Sequence, residues 1–284
     1  MSKIGIVRRF LGRLITLYVP LAFFIFFFLA PFYWMFITSL KENKELYNLQ
    51  ASRLWVSAPT LRHYQELFTE TAFLVWIKNS FLVALIVTAF SLVIGIMAAY
   101  ALSRLRFKGG TAVGAGVFIT YLVPPTLLFI PLASVVHRLG LYDSWWALVV
   151  TYPTFMVPFC VWLLTGYFRS IPPDMEECAM IDGCSRFQAI WRITVPLAIP
   201  GLVSAGIFAF TMSWNEFIYG LTFLQSSSQR TVPVAVPTEF VLGDAFFWGP
   251  MMAAALLGSV PIAIAYAFFA RYYVEGMTSG AIKG

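Results

Sequence analysis

The chain carries several apolar runs of about 18 residues or more, and no other feature limits its fold so tightly. A helix rises ~1.5 Å per residue, so a run of that length crosses a hydrocarbon core ~30 Å thick. The runs lack the alternation, about ten residues long, that marks a strand of a lipid-embedded barrel. Only 11% of the 284 residues are charged and 60% are hydrophobic, too little charge for a water-soluble domain of this length. The fold class that follows is an all-α polytopic membrane protein.

Six transmembrane helices are predicted, at about 15–38, 80–102, 112–136, 145–168, 200–223 and 250–273, in one transmembrane domain. The first follows Lys3, Arg8, Arg9 and Arg13 and could pass for a signal peptide. It is too long for a signal core and no small-x-small cleavage site follows it, so it reads as a retained span. Pro124, Pro125 and Pro131 fall in the third span, Pro153 and Pro158 in the fourth and Pro261 in the sixth. Prolines kink a membrane helix and leave carbonyls that neighbours must satisfy. Kinked helices suit a bundle around a cavity better than a simple anchor.

Basic residues set the orientation. With the N-terminus in the cytoplasm, 12 Lys and Arg fall inside and 7 outside, and five of those seven sit in one longer segment, 39–79, where the rule is weak. The short loops decide: Arg104, Arg106 and Lys108 against Arg138 alone. Both termini are then cytoplasmic. The net charge of +6 reports this topology rather than a nucleic-acid partner. Cys160, Cys178 and Cys184 have no metal or redox spacing and read as free thiols. His63 and His137 lie outside the apolar runs, which argues against a metal site within the membrane.

One polar stretch stands apart, DMEECAMIDGCSRFQAIWRITVPLAIPG, from Asp174 to Gly201. Pro172 and Pro173 stop the fourth span. Asp174 is placed to cap a new helix with Glu177 three residues on, and Glu176 and Glu177 suit the positive end of its dipole. Asp182-Gly183 ends it. Ser185 opens a second helix with Gln188 completing a capping box, and Phe187, Ile190 and Trp191 share one face. Two short helices hinged at Gly183, spanning 174–195 on the cytoplasmic side, are marginal in water alone. They form either an elbow on the membrane surface or a docking element, and their acids disfavour anionic lipid.

Glu177-Cys178-Ala179, then Gly183, then Ile193-Thr194-Val195-Pro196 resembles the EAA loop, E-A-A-x3-G-x9-I-x-L-P, of the membrane subunits of bacterial ABC importers. Cys178 replaces an Ala and Val195 a Leu. AAYALSRLRFKGG (98–110), SWNEF (213–217) and the tail EGMTSGAIKG (275–284) are similar to the shorter permease of maltose-type carbohydrate importers. The resemblance implies the type I ABC importer fold. It also implies an inner-membrane location, a homologous permease as heterodimer partner, two cytoplasmic ATPases that bind ATP and Mg, and an extracytoplasmic sugar-binding protein. It assigns ATPase coupling to Glu176, Glu177, Ala179, Asp182, Gly183 and Phe187, with Glu177 meeting a basic residue and Gly183 setting the bend. Thr278, Ser279 and Gly280 would enter the ATPase interface. The outer loop 225–249, with Arg230, Glu239 and Asp244, would meet the binding protein; its Phe246, Phe247 and Trp248 also suit an interfacial belt.

The chain has no G-x-x-x-x-G-K-[ST], no G-x-S-x-G, no H-E-x-x-H and no Cys/His cluster. It is expected to be a transport subunit without an ATPase site, cofactor or metal of its own. Asn215 and Glu216 are the notable polar pair within a span. They are read either as an interhelical hydrogen bond or a water-facing group near the mouth, or as lining of the sugar path or the outer gate, with proton coupling a third reading. The functional expectation is half of the pathway of an ATP-driven sugar importer. An importer of a non-sugar solute is the alternative.

Overall fold

Prolines and one acidic tripeptide decide where these apolar runs bend. The computed structural model describes residues 14–279 apart from 49 and 51. Its contacts divide the chain into two units, 1–71 with 236–259 and 72–235 with 260–284.

In the first unit α1 (Val19–Leu40) follows a wider turn at Leu14–Tyr18. It is buried only at Ile37, Thr38 and Ser39, and Phe26 is 74% exposed. A helix apolar on all sides and bare along most of its length requires lipid or another chain around it. The segment beyond it folds back on itself. In α2 (Arg62–Thr69) the buried His63 ring meets the Lys41 carbonyl through Nε2 at 2.8 Å, and the Tyr64 hydroxyl shares a hydrogen bond with Ser39 at 2.7 Å. Gly249 backs that ring, and any Cβ there would overlap it. The Lys41 ammonium, itself buried, donates to the Ser52 carbonyl and lies 3.7 Å from Glu45.

The second unit is built on α3 (Phe73–Arg104), a rod of 32 residues without proline, about 48 Å long. It starts seven residues before the expected span. Lys78 interrupts the apolar run in the sequence, but Trp76 and Asn79 find hydrogen-bond partners on a distant segment and extend the helix past it. The predicted third span is two helices, α4 (Gly110–Leu122) and α5 (Pro125–Arg138), bent by 96°. Val123 and Pro124 are extended there, as a residue before proline prefers. α6 (Trp146–Thr151) runs into α7 (Pro153–Ser170) through Tyr152.

The core is the seam of α3, α7 and α10 (Ile199–Trp214). Gly95 of α3 lets α7 approach so closely that a Cβ would stand 2.9 Å from that of Cys160. Phe159 of α7 stacks on Phe208 of α10 at 3.8 Å. Without a strong hydrophobic drive between helices in lipid, such close packing is what holds a bundle together.

Between α7 and α10 lie α8 (Asp174–Ile181) and α9 (Arg186–Ala189), with a wider turn at Ile190–Thr194. The fifth span is also shorter than predicted: α10 stops at Trp214, and α11 (Ile218–Phe223) resumes after Asn215, Glu216 and Phe217. Residues 225–249, expected as a loop, are largely folded. They hold a turn at Ser227–Gln229, α12 (Val232–Phe240) and a hairpin of β1 (Val241–Leu242) with β2 (Ala245–Phe246), turning through Gly243 at φ +60°. The apolar positions Val232, Val234 and Ala235 are buried, which the polar residues around them concealed in the sequence. α13 (Trp248–Ser279) carries the last span through Pro261.

Candidate coupling site

The polar stretch is shaped by its breaks. α7 ends at Ser170, Ile171 is extended, and α8 leaves at 76° to α7. Asp174 does not cap it. Pro173 takes the cap position with helical torsions, because its ring already holds φ near the helical value, and Asp174 is the first residue inside. Asp174, Glu176 and Glu177 occupy the first turn, where the dipole favours acids. At the far end Gly183 has φ +90°, and the amides of Gly183 and Cys184 return to the carbonyls of Met180 and Ala179 at 3.1 and 3.0 Å. This is the paired C-terminal closure that a left-handed residue makes possible. Ser185 and Gln188 then form the expected capping box, with the Ser185 amide donating to Gln188 at 2.8 Å.

The residues nominated for ATPase coupling divide into two sets. Glu177, Asp182, Gly183 and Phe187 are exposed and Ala179 is half-buried. Glu176 turns inward and is 3% exposed. Its Oε1 accepts from Arg104 Nε at 2.8 Å and its Oε2 from the Tyr100 hydroxyl at 3.0 Å. Arg104 also donates to the Ile171 carbonyl at 2.8 Å. A buried charge without its partner costs several kcal/mol, so this pair fixes α8 to the end of α3. Sequence reasoning missed Tyr100 and Arg104. Both lie in the 98–110 stretch that carries the resemblance, and Arg104 also read there as one of the basic residues that set topology.

The loop also leaves apolar side chains exposed. Met175, Cys178, Ile181, Phe187 and Trp191 are exposed, and Ile181 is 85% bare. The Phe187 and Trp191 rings meet edge-on at 6.2 Å. Of the two departures from the EAA pattern, Cys178 is exposed and Val195 is half-buried.

Asn215 is exposed beside the helix break. Glu216, one residue before the cap position of α11, accepts from the amides of Tyr219 at 2.9 Å and Gly220 at 3.2 Å. It also accepts from the hydroxyl of the fully buried Tyr152 at 2.7 Å. The interhelical hydrogen bond is thus the geometry found for Glu216. A groove of about 790 Å3 opens elsewhere, between the end of α3, α4 and α7, with Arg106 and Arg169 on its walls; neither Asn215 nor Glu216 borders it.

Asp143, in a left-handed conformation at φ 57°, ties the turn after α5 to the chain beyond α11. It accepts from the amides of Gln225 and Ser226, both at 2.8 Å, and closely from the Ser226 hydroxyl. The Ser226 hydroxyl bond, above all, holds its carboxyl below the usual range, with the two amides and Arg230 adding to the effect against burial. Of the residues nominated for binding-protein contact, Arg230 is half-buried in the second unit, and Glu239 (half-buried) and Asp244 (exposed, in the hairpin turn) belong to the first. Thr278 and Ser279 are the last residues of α13, and Gly280 lies outside the described residues.

Residues 91–279 match the family described as the binding-protein-dependent transport system inner membrane component. The chain belongs to this family. The permease is 39% identical over 282 residues to the inner membrane ABC transporter permease protein YcjP of Escherichia coli (strain K12), covering 98% of this chain and 99% of that one. It is 38% identical over 257 residues to the sulfoquinovosyl glycerol transport system permease protein SmoH of Agrobacterium fabrum (strain C58 / ATCC 33970), covering 90% and 89%. To the trehalose/maltose transport system permease protein MalG of Thermococcus litoralis (strain ATCC 51850 / DSM 5473 / JCM 8560 / NS-C) it is 33% identical over 258 residues, covering 90% and 92%. Its fold is that of ABC importer membrane subunits. A bacterial ABC transporter involved in the import of the acidic polysaccharide alginate superposes with a TM-score of 0.77, at 19% identity, covering 96% of this chain and 99% of that one. The MetNI methionine transporter superposes at 0.57 and 15% identity, covering 76% and 99%. The permease is an inner-membrane protein.

Proposed function

We propose that the permease forms half of the translocation pathway of an ATP-driven sugar importer. It pairs with a homologous longer permease, is driven by two cytoplasmic ATPases and receives sugar from an extracytoplasmic binding protein. Six spans with both termini in the cytoplasm put the 174–195 loop on the ATPase side. The observation that carries this reading is the set of exposed apolar side chains on that loop, Met175, Ile181, Phe187 and Trp191, on two helices too short to hold themselves in water. Exposed apolar clusters of this kind mark a protein interface. Relatives named for sulfoquinovosyl glycerol, trehalose and maltose support a sugar as the solute. The fold alone does not choose it, because the methionine transporter shares it.

ATP and Mg belong to the partner ATPases. As their dimer closes, the loop moves with them and the bundle opens outward to take the sugar; hydrolysis resets it. Glu177, Asp182, Gly183 and Phe187 make the contact, and Thr278, Ser279 and Gly280 reach the ATPase interface. Arg230, Glu239 and Asp244 face the binding protein. The test is co-purification with an ATPase, then hydrolysis stimulated by sugar-loaded binding protein in lipid. Glu177→Arg is expected to abolish coupled hydrolysis and Gly183→Asp to lower it; intact assembly and coupling in both would end the coupling reading.

A further inference from the structure

We propose that α3 is the strut that links the ATPase-facing loop to the binding-protein-facing segment, held at its two ends by Glu176 and by Asn79 with Ser80. The proposal rests on the function argued above and adds positioning residues to it.

At one end of α3 the loop is tied by a buried charge pair. Arg104 and Tyr100 hold both oxygens of Glu176, and the second arm of Arg104 holds the Ile171 carbonyl. The direct route along the chain from α8 to α7 passes through a sharp bend at Ile171–Pro173, a poor transmitter of force. The bond from Arg104 to Ile171 splints that bend to α3 as well. At the opposite end, four hydrogen bonds hold residues 227–232. Trp76 Nε1 donates to the Ser227 carbonyl at 2.9 Å, and Asn79 Nδ2 to the carbonyls of Ser228 and Arg230, both at 3.0 Å. The Ser80 hydroxyl accepts from the Val232 amide at 2.8 Å. Asn79 is 4% and Ser80 2% exposed, so these bonds are shielded from water.

Between the two clamps runs about 35 Å of uninterrupted helix. It contains no proline, and its one glycine, Gly95, is buried against Cys160 and Leu164. A helix so packed shifts as a body rather than bending, because packed interfaces resist gradual deformation. A displacement of α8 by the ATPase therefore reaches segment 227–232 through one rigid element.

The experiment uses the complete complex in lipid and reads the ratio of ATP hydrolysis with sugar-loaded binding protein to hydrolysis without it. Glu176→Gln and Asn79→Ala, at opposite ends of the strut, are each expected to lower that ratio about fivefold or more. Sites this far apart normally act independently, so their effects should multiply. Through a shared strut they do not: the double variant is expected to be no worse than the worse single one. Singles that leave the ratio within about twofold of the parent, or effects that multiply, overturn the proposal. Should Glu176→Gln fail to assemble, Arg104→Lys and Ser80→Ala test the same two ends by the same ratio. A parent chain that recruits no ATPase at all would instead sink the importer reading.

Discussion

Single residues here do more local work than their types suggested. Glu216 reads in the sequence either as a hydrogen-bonded or water-facing group or as path lining, and in the structure its carboxylate satisfies the first amides of α11 and the hydroxyl of Tyr152. Glu216→Ala strands that buried hydroxyl and should cost ~1–3 kcal/mol, seen as a lower unfolding temperature in detergent. Glu216→Gln, which still accepts, should cost less. Equal loss in both would show that charge rather than acceptance matters. Asp143 makes a prediction in pH. Its folded pKa lies below its unfolded value of ~3.9, so its contribution is complete above that value and is lost as pH falls through the folded pKa. Amide protection at Gln225 and Ser226 should hold from neutral pH to about 4 and then fade, whereas Asp143→Asn should lack that acid step. A protection profile in the parent with no acid step would contradict this. The bond was not legible in advance, since 82 residues separate Asp143 from Gln225.

At the scale of elements, local signals were readable and tertiary partners were not. The Ser185 capping box and the left-handed Gly183 are properties of a few adjacent residues, and both stand where the sequence put them. No neighbour lies within 4 Å of a Cβ built at Gly183, so a substitution there is penalised by torsion alone. Gly183→Ala should pay ~1–2 kcal/mol of left-handed strain and weaken ATPase binding by up to ~30-fold, with Gly183→Asn milder. Binding by titration checks the order, and an Asn variant worse than Ala would refute it. Gly95 is the opposite case, where crowding decides. Gly95→Leu must push α7 away from α3 and should destabilise by ~1–3 kcal/mol, read as a lower melting temperature; an unshifted one would show that the seam yields. A cap at Asp174 and an unbroken fifth span are not found, each for its own reason. Pro173 already holds the helical torsion, and a carboxylate inside an apolar run gains most where a helix breaks and frees amides.

For the whole molecule, orientation can be tested by thiols. Cys178 is exposed, Cys184 half-buried and Cys160 buried, so a membrane-impermeant maleimide reports the side of the 174–195 loop. With ATPase stripped away, Cys178 should label in inside-out vesicles and not in right-side-out ones; the reverse would invert the proposed topology. That the chain is helical and membrane-spanning followed from its apolar runs, because a run long enough to cross hydrocarbon must satisfy its own backbone. The position and hinge of the loop followed from prolines, caps and one glycine, all of which act within a turn of themselves. What only the tertiary structure decided is which groups those signals meet. Glu176 and Glu177 are adjacent acids with the same local propensities, yet one is locked under Arg104 and Tyr100 and the other is exposed. That choice depends on the packing of α8 against a helix more than seventy residues earlier in the chain, and no periodicity along the sequence encodes it.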